Sequence, residues 1–176
     1  GGGAGGGCAG AVVGGDSRVS TPMLEAAFVA GLATVGVEVI RLGVAPTPAV
    51  AFEAARTGAM GAVISASHNA YHDNGIKLFA PGGTKLPDDV EARIEQELAA
   101  LGPVTGEVGA IHGRRDPSAY VDHLVAVLQG RDLHGLRVVV DAANGAASHV
   151  VADVFGRTGA QIVVINAAPD GRNINA

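Results

Sequence analysis

Ala62-Val63-Ile64-Ser65-Ala66-Ser67-His68-Asn69-Ala70-Tyr71-His72-Asp73-Asn74-Gly75 is the stretch that decides the fold. Three apolar residues stop abruptly at a run of hydroxyl, amide and imidazole side chains, which reads as a short buried strand emptying into a polar loop. Upstream, Ala11-Val12-Val13 ends in the same way at Gly14-Gly15-Asp16-Ser17-Arg18. A helix follows, with Ser20 or Thr21 to cap it, Pro22 in its first turn and Leu24, Ala27, Phe28, Gly31 and Leu32 at helical spacing. Residues 37–42 read as a second buried strand, and Pro46-Thr47-Pro48 opens a helix carrying Val50, Ala51, Ala54 and Ala55 as far as Gly58. The alternation is β-α-β-α-β. It predicts an α/β fold, a mostly parallel sheet with helices on both faces, in which ligands gather beyond the carboxyl ends of the strands. The loop after residue 64 is therefore the place to look for a site.

Downstream, Ile76-Lys77-Leu78-Phe79 is apolar again, and Pro81-Gly82-Gly83 makes a turn. Residues 87–101 read as a charged amphipathic helix with Val90, Ile94, Leu98 and Leu101 on one face, and residues 117–129 as another. Residues 130–135 are the best linker. A second β-α-β then begins: a strand over 136–140, a turn at Asp141-Ala142-Ala143-Asn144-Gly145, a helix to about Arg157 and a strand over 161–165. Two strands and a helix bury too little surface to stand alone, so the expected division is a first domain over 1–130 and the opening of a second over 131–176. Residues 1–10 are glycine-rich with no Met and no basic segment, which does not fit a signal peptide, and both ends are expected to be cut.

Composition narrows the function. The chain has 176 residues, 48% hydrophobic but only 3% aromatic with no Trp, so its core must be built from Val, Ile, Leu and Ala. The formal net charge of −5 excludes a broad nucleic-acid footprint, and any anion must be met locally. The single Cys8 cannot form an internal disulfide, and no apolar run approaches the ~18–20 residues that span a bilayer, so the expectation is a soluble protein of the cytoplasm with no membrane partner. Oligomeric state is not readable from these features.

Only two of the 12 basic residues are lysines, Lys77 and Lys85, and both follow the polar loop. Ser67 offers a hydroxyl nucleophile, His68 a group that donates or accepts near neutral pH, Asn69 a neutral amide and Lys77 a cation. Together they could hold and move a phosphoryl group. The same residue types are also ordinary turn formers, and His112, His123, His134 and His149 carry no assigned role.

Ser65-Ala66-Ser67-His68-Asn69, continuing to Asp73-Asn74-Gly75-Ile76-Lys77, resembles the phosphoserine loop of the α-D-phosphohexomutase superfamily, in its phosphoglucosamine mutase branch more than in the phosphomannomutase and phosphoglucomutase branches. Pro169-Asp170-Gly171-Arg172-Asn173-Ile174-Asn175 is similar to a second stretch of that branch. The resemblance implies that Ser67 carries the phosphate, that His68 and Lys77 handle the hydroxyl proton and the phosphate, and that the reaction interconverts glucosamine 6-phosphate and glucosamine 1-phosphate. A glucose or glucosamine 1,6-bisphosphate would serve as activator and intermediate. It implies Mg²⁺ bound to a phosphate oxygen on Ser67 and to three aspartates of an Asp-x-Asp-x-Asp loop that this chain does not contain. Asn69 and Arg18 are expected to support the loop. The chain departs from the family pattern at Ala70, where Pro is frequent, and at Gly15, where the usual sequence is Gly-Arg-Asp.

Other readings are weaker. A serine hydrolase built on Ser67 and His68 lacks the Gly-x-Ser-x-Gly elbow, and a zinc site from His68 and His72 lacks the metalloprotease Glu. Glycine richness before residue 11 suggests a dinucleotide-binding module, but no Gly-x-Gly-x-x-Gly leads from that strand into a helix. A non-catalytic sugar-phosphate-binding module is the non-enzyme alternative.

Overall fold

The computed structural model describes residues 10–176 other than 103, 105, 114 and 115, so Cys8 and nearly all of the glycine-rich start lie outside the described residues. The first three strands, β1 (Gly10–Gly15), β2 (Glu38–Val44) and β3 (Met60–Ile64), run parallel. Helix α1 (Thr21–Thr34) joins β1 to β2, and α2 (Thr47–Thr57) joins β2 to β3. Strand β4 (Ile76–Phe79) returns antiparallel along β3, with Lys77 opposite Val63. Strand β5 (Ile111–His112) adds a parallel edge beside β2, giving the order β4-β3-β1-β2-β5.

Because β1 lies centrally while the chain moves first to β2 on one side and then to β3 on the other, the two crossover helices cover opposite faces. One core holds Val13, Val29, Val39, Ala62 and Ile64 with Leu24, Phe28 and Leu32 of α1 around them. The other holds Ala45, Ala49, Val50, Val63, Phe79 and Tyr120. Val12, Val13, Val39, Val50 and Ile64 are wholly buried, and each such side chain contributes about 1.5–3 kcal/mol of transfer free energy. Nearly continuous burial along β1 and β3 is what a parallel sheet covered on both faces demands.

Helix α3 (Asp88–Ala99) and α4 (Ser118–Ala126) complete the first unit, and a two-stranded parallel sheet of β6 (Arg137–Asp141) and β7 (Gln161–Ile165) makes the second. Several expectations change. Ser20 stands at the start of α1 but its hydroxyl makes no capping bond, because it accepts from Asn74 instead. The expected Leu24, Phe28 and Leu32 row of α1 does pack on the core, but the fully buried stripe beside it is Thr21, Glu25, Val29 and Ala33, with Glu25 paired to Arg41 at 2.7 Å, while Ala27 and Gly31 are exposed. Helix α3 buries none of its residues. The single helix expected before Arg157 is a 3₁₀ turn, Ala146–His149, followed by α5 (Val151–Gly156). Among the described residues no helix is long and apolar enough to cross a membrane.

Candidate functional site

The order of strands reverses between β1 and β3, and the loops leaving their carboxyl ends meet there. From β1 come Asp16, Ser17 and Arg18; from β3 comes the loop of Ser65 to Asn69. Arg18 is fully buried, with its guanidinium paired to the Asp16 carboxylate. Asp16 in turn accepts the Arg18 backbone N–H and the Thr21 hydroxyl, each at 3.0 Å. The rest of the guanidinium is spent on the neighbouring loop: it donates to the carbonyls of Asn69 at 2.6 Å, Ser67 at 3.1 Å and Ala70 at 3.4 Å. A cation can be buried at this depth only when its donors are matched in this way.

The loop so held is bent at Ser67, whose φ of 56° is left-handed, a conformation that costs a non-glycine residue about 1–2 kcal/mol. The Ser65 hydroxyl accepts the Ser67 N–H at 3.0 Å, and the Ala66 carbonyl accepts the Asn69 N–H at 3.2 Å. Strain at one exposed hydroxyl-bearing residue, over-determined by buried contacts, fits a presented functional group. The Ser67 hydroxyl lies 3.5 Å from His68 Nδ1, at the outer limit of a hydrogen bond, and the imidazole has no acidic partner among the described residues. That arrangement lacks the third member a hydrolytic triad needs. Asn69 donates from its amide to Asp73 at 3.2 Å, and Asn74 closes the loop's far end, donating to Ser20 at 2.9 Å and Thr21 at 3.2 Å.

Ser67 and His68 line an open hollow with Asp16, Thr47, Ala143 and Asn175. Lys77 is exposed on β4 and lines a different hollow, with Phe28, Lys85 and residues of α3. Lys85 is occupied by Asp88 at 2.9 Å and Glu91 at 3.7 Å, contacts that raise its pKa, so the two lysines do not converge on Ser67. His123 stacks on Phe52 with ring centroids 4.7 Å apart, and His134 lies 3.1 Å from Asp132. Among the described residues no three His, Cys, Asp or Glu side chains form a group that could hold a metal ion.

Several residues of the site carry no sequence signal that ties them to the Ser67 loop. Asp16 looks like a turn residue, and Asn144 and Asn175 lie far along the chain. Gly15 is explained by space: a Cβ there would sit 2.4 Å from Thr21 Cγ2 and 3.1 Å from the Ile64 carbonyl, so the arginine usual in the resembling family has no room.

Residues 6–103 match the family described as phosphoglucomutase/phosphomannomutase, alpha/beta/alpha domain I. The chain is 51% identical over 173 residues to a phosphoglucosamine mutase of Salinispora arenicola, covering 94% of this chain and 38% of the relative. It is 53% identical over 174 residues to one of Parafrankia sp., covering 93% and 37%. A solved phosphoglucomutase/phosphomannomutase family protein of Burkholderia thailandensis superposes with a TM-score of 0.76 at 28% identity, over 92% of this chain and 36% of that one. The chain thus spans under two-fifths of the length of the relatives it matches.

Proposed function

The chain belongs to the phosphoglucomutase/phosphomannomutase family, and on that premise we propose that it carries the phosphoserine loop of a phosphoglucosamine mutase, with Ser67 as the phosphoryl carrier. The observation that supports this most is the exposed, left-handed Ser67 held at the strand-order reversal by a buried arginine. Phosphoryl transfer runs through a loose transition state and asks for in-line placement more than covalent help, and a fixed hydroxyl in an open hollow is suited to it.

In the proposed reaction the bond from phosphorus to Ser67 Oγ breaks while a bond to the sugar hydroxyl forms. The sugar hydroxyl proton passes to a base while an acid delivers a proton to the departing Ser67 Oγ, and both transfers reverse in the return step. The bisphosphate then turns and returns its other phosphate to Ser67. The 3.5 Å between His68 Nδ1 and the Ser67 hydroxyl supports His68 as the group that exchanges a proton with it, whereas Lys77, which lines another hollow, would take part only through a rearrangement that brings it to Ser67. When bound, Mg²⁺ would neutralise phosphate oxygens. The described residues alone do not make its site, so ligands beyond the Ser67 phosphate would have to come from outside them.

The test joins this chain to the portion of the Salinispora arenicola relative beyond the match and assays it with glucosamine 6-phosphate against the glucose and mannose phosphates. Turnover preferring the amino sugar, lost in Ser67→Ala, and a phosphopeptide mapping to Ser67 are expected. Phosphate on Ser65, or turnover that survives Ser67→Ala, would overturn the assignment.

A further inference from the structure

Resting on Ser67 as the carrier, we infer that Asn175 is a positioning residue, by which the second unit completes the phosphoserine loop and sets the His68 peptide beside it. Each of the five carbonyls from Ala66 to Ala70 is bound. Ala66 takes the Asn69 N–H, Ser67 and Asn69 take Arg18, and Ala70 takes the Asp73 N–H at 3.1 Å. The remaining carbonyl, that of His68, accepts the Asn175 side-chain amide at 3.0 Å across 107 residues of chain. That carbonyl fixes the peptide following His68, and so where the imidazole lies relative to the Ser67 hydroxyl.

Asn175 is itself placed by a stiff turn rather than by a floating tail. Its N–H donates to the Ala143 carbonyl at 2.7 Å, and Ile174 beside it is buried. Asp170 accepts from the N–H groups of Arg172 at 2.8 Å and Asn173 at 2.9 Å. Asn144 receives the Ala168 N–H at 3.1 Å and donates to the Asn173 carbonyl at 3.2 Å. The same turn is tied to the first unit elsewhere, by the Val19 N–H to the Gly171 carbonyl at 2.8 Å and the Ser17 hydroxyl to the Asn144 carbonyl at 2.6 Å. Asn175 sits at a φ of 55°, where Asn is among the few side chains tolerated. The stretch from Pro169 to Asn175 thereby gains a use: it delivers one amide to one carbonyl.

Asn175→Gly removes the amide while accepting the left-handed backbone, and Asn175→Asp keeps the shape but not the donor. Amide hydrogen exchange on residues 1–176 reads the loop without requiring turnover, so it is independent of the mutase assignment. Both variants should speed exchange at Asn69 and Asp73 by about threefold or more, the loss of one exposed hydrogen bond, with Val19, Asn144 and the β1 amides unchanged. Unchanged exchange at Asn69 and Asp73 in both variants would overturn the inference. So would an equal rise at Val19 and Asn144, which would make Asn175 a tie between units and not a support of the loop. In the joined enzyme the same variants should lower kcat at unchanged KM.

Discussion

Burying a guanidinium costs several kcal/mol unless its water is replaced, and Arg18 replaces it with Asp16 and three loop carbonyls. Arg18→Met would leave the Asp16 carboxylate buried without its cation, a loss of about 3–5 kcal/mol. Urea unfolding of residues 1–176 should show it as a lower midpoint at an unchanged slope. Asp16→Asn combined with Arg18→Met should recover part of that loss; a single-variant cost below about 1 kcal/mol would mean the pair is solvated. The chemistry-bearing residues of the loop stand out in the sequence because they interrupt an apolar strand. Of their supports, Arg18 is expected from the family resemblance and does bond to the loop, but the others carry no such signal. Asp16 is indistinguishable from any turn aspartate until Thr21 and Arg18 are seen bonding to it, and Asn175 reaches His68 from too far along the chain for any local pattern to show.

Burial makes an element legible, but so does regular spacing: α3 buries none of its residues and is still read from its helical pattern. Strands β1 and β3 read directly from Val12-Val13 and Val63-Ile64, because those side chains are nearly or wholly excluded from water. Strand β5 was missed since it is two exposed residues, and the antiparallel sense of β4 is set by a return loop that no periodicity encodes. After β6 the chain turns through Ala143 and Asn144, both at positive φ, makes the 3₁₀ turn Ala146–His149 and enters α5 only at Val151. The first of these turns faces the Ser67 hollow and is held by Asp141. The Asp141 carboxylate accepts the Ala143 N–H at 2.9 Å and the Asn166 amide at 3.0 Å, and these two bonds, the first the stronger, hold its pKa below the ordinary value. A depressed pKa in the folded state means stability that is present above the unfolded pKa, near 4, and lost as pH falls through the folded one. Exchange at Ala143, corrected for its intrinsic pH dependence, should therefore rise below about pH 4. Asp141→Asn keeps the acceptor and removes the titration, so its profile should be flat; a matching rise in that variant would trace the effect to some other carboxyl.

For the molecule as a whole, carrying the proposed phosphoryl carrier is different from carrying the reaction. Residues 1–176 assayed with glucosamine 6-phosphate, Mg²⁺ and a glucose 1,6-bisphosphate primer are expected to show no turnover. The first reason is electrostatic: a lone phosphate monoester is a weak, water-competed Mg²⁺ site, and no group of three ligating side chains exists among the described residues to strengthen it. The second is positional. The Ser67 hollow is open, and among the described residues that line it there is no lysine or arginine to hold a second phosphate in line with Oγ. Orientation of that kind is worth up to about 7–11 kcal/mol, and its loss alone would take the rate below detection. The matched relatives are more than twice as long as this chain, leaving ample sequence to supply both. Joining the chain to that portion of a relative should restore turnover while leaving the loop's hydrogen exchange unchanged. Turnover by residues 1–176 alone would show that placement and metal binding are both more local than the geometry around Ser67 indicates.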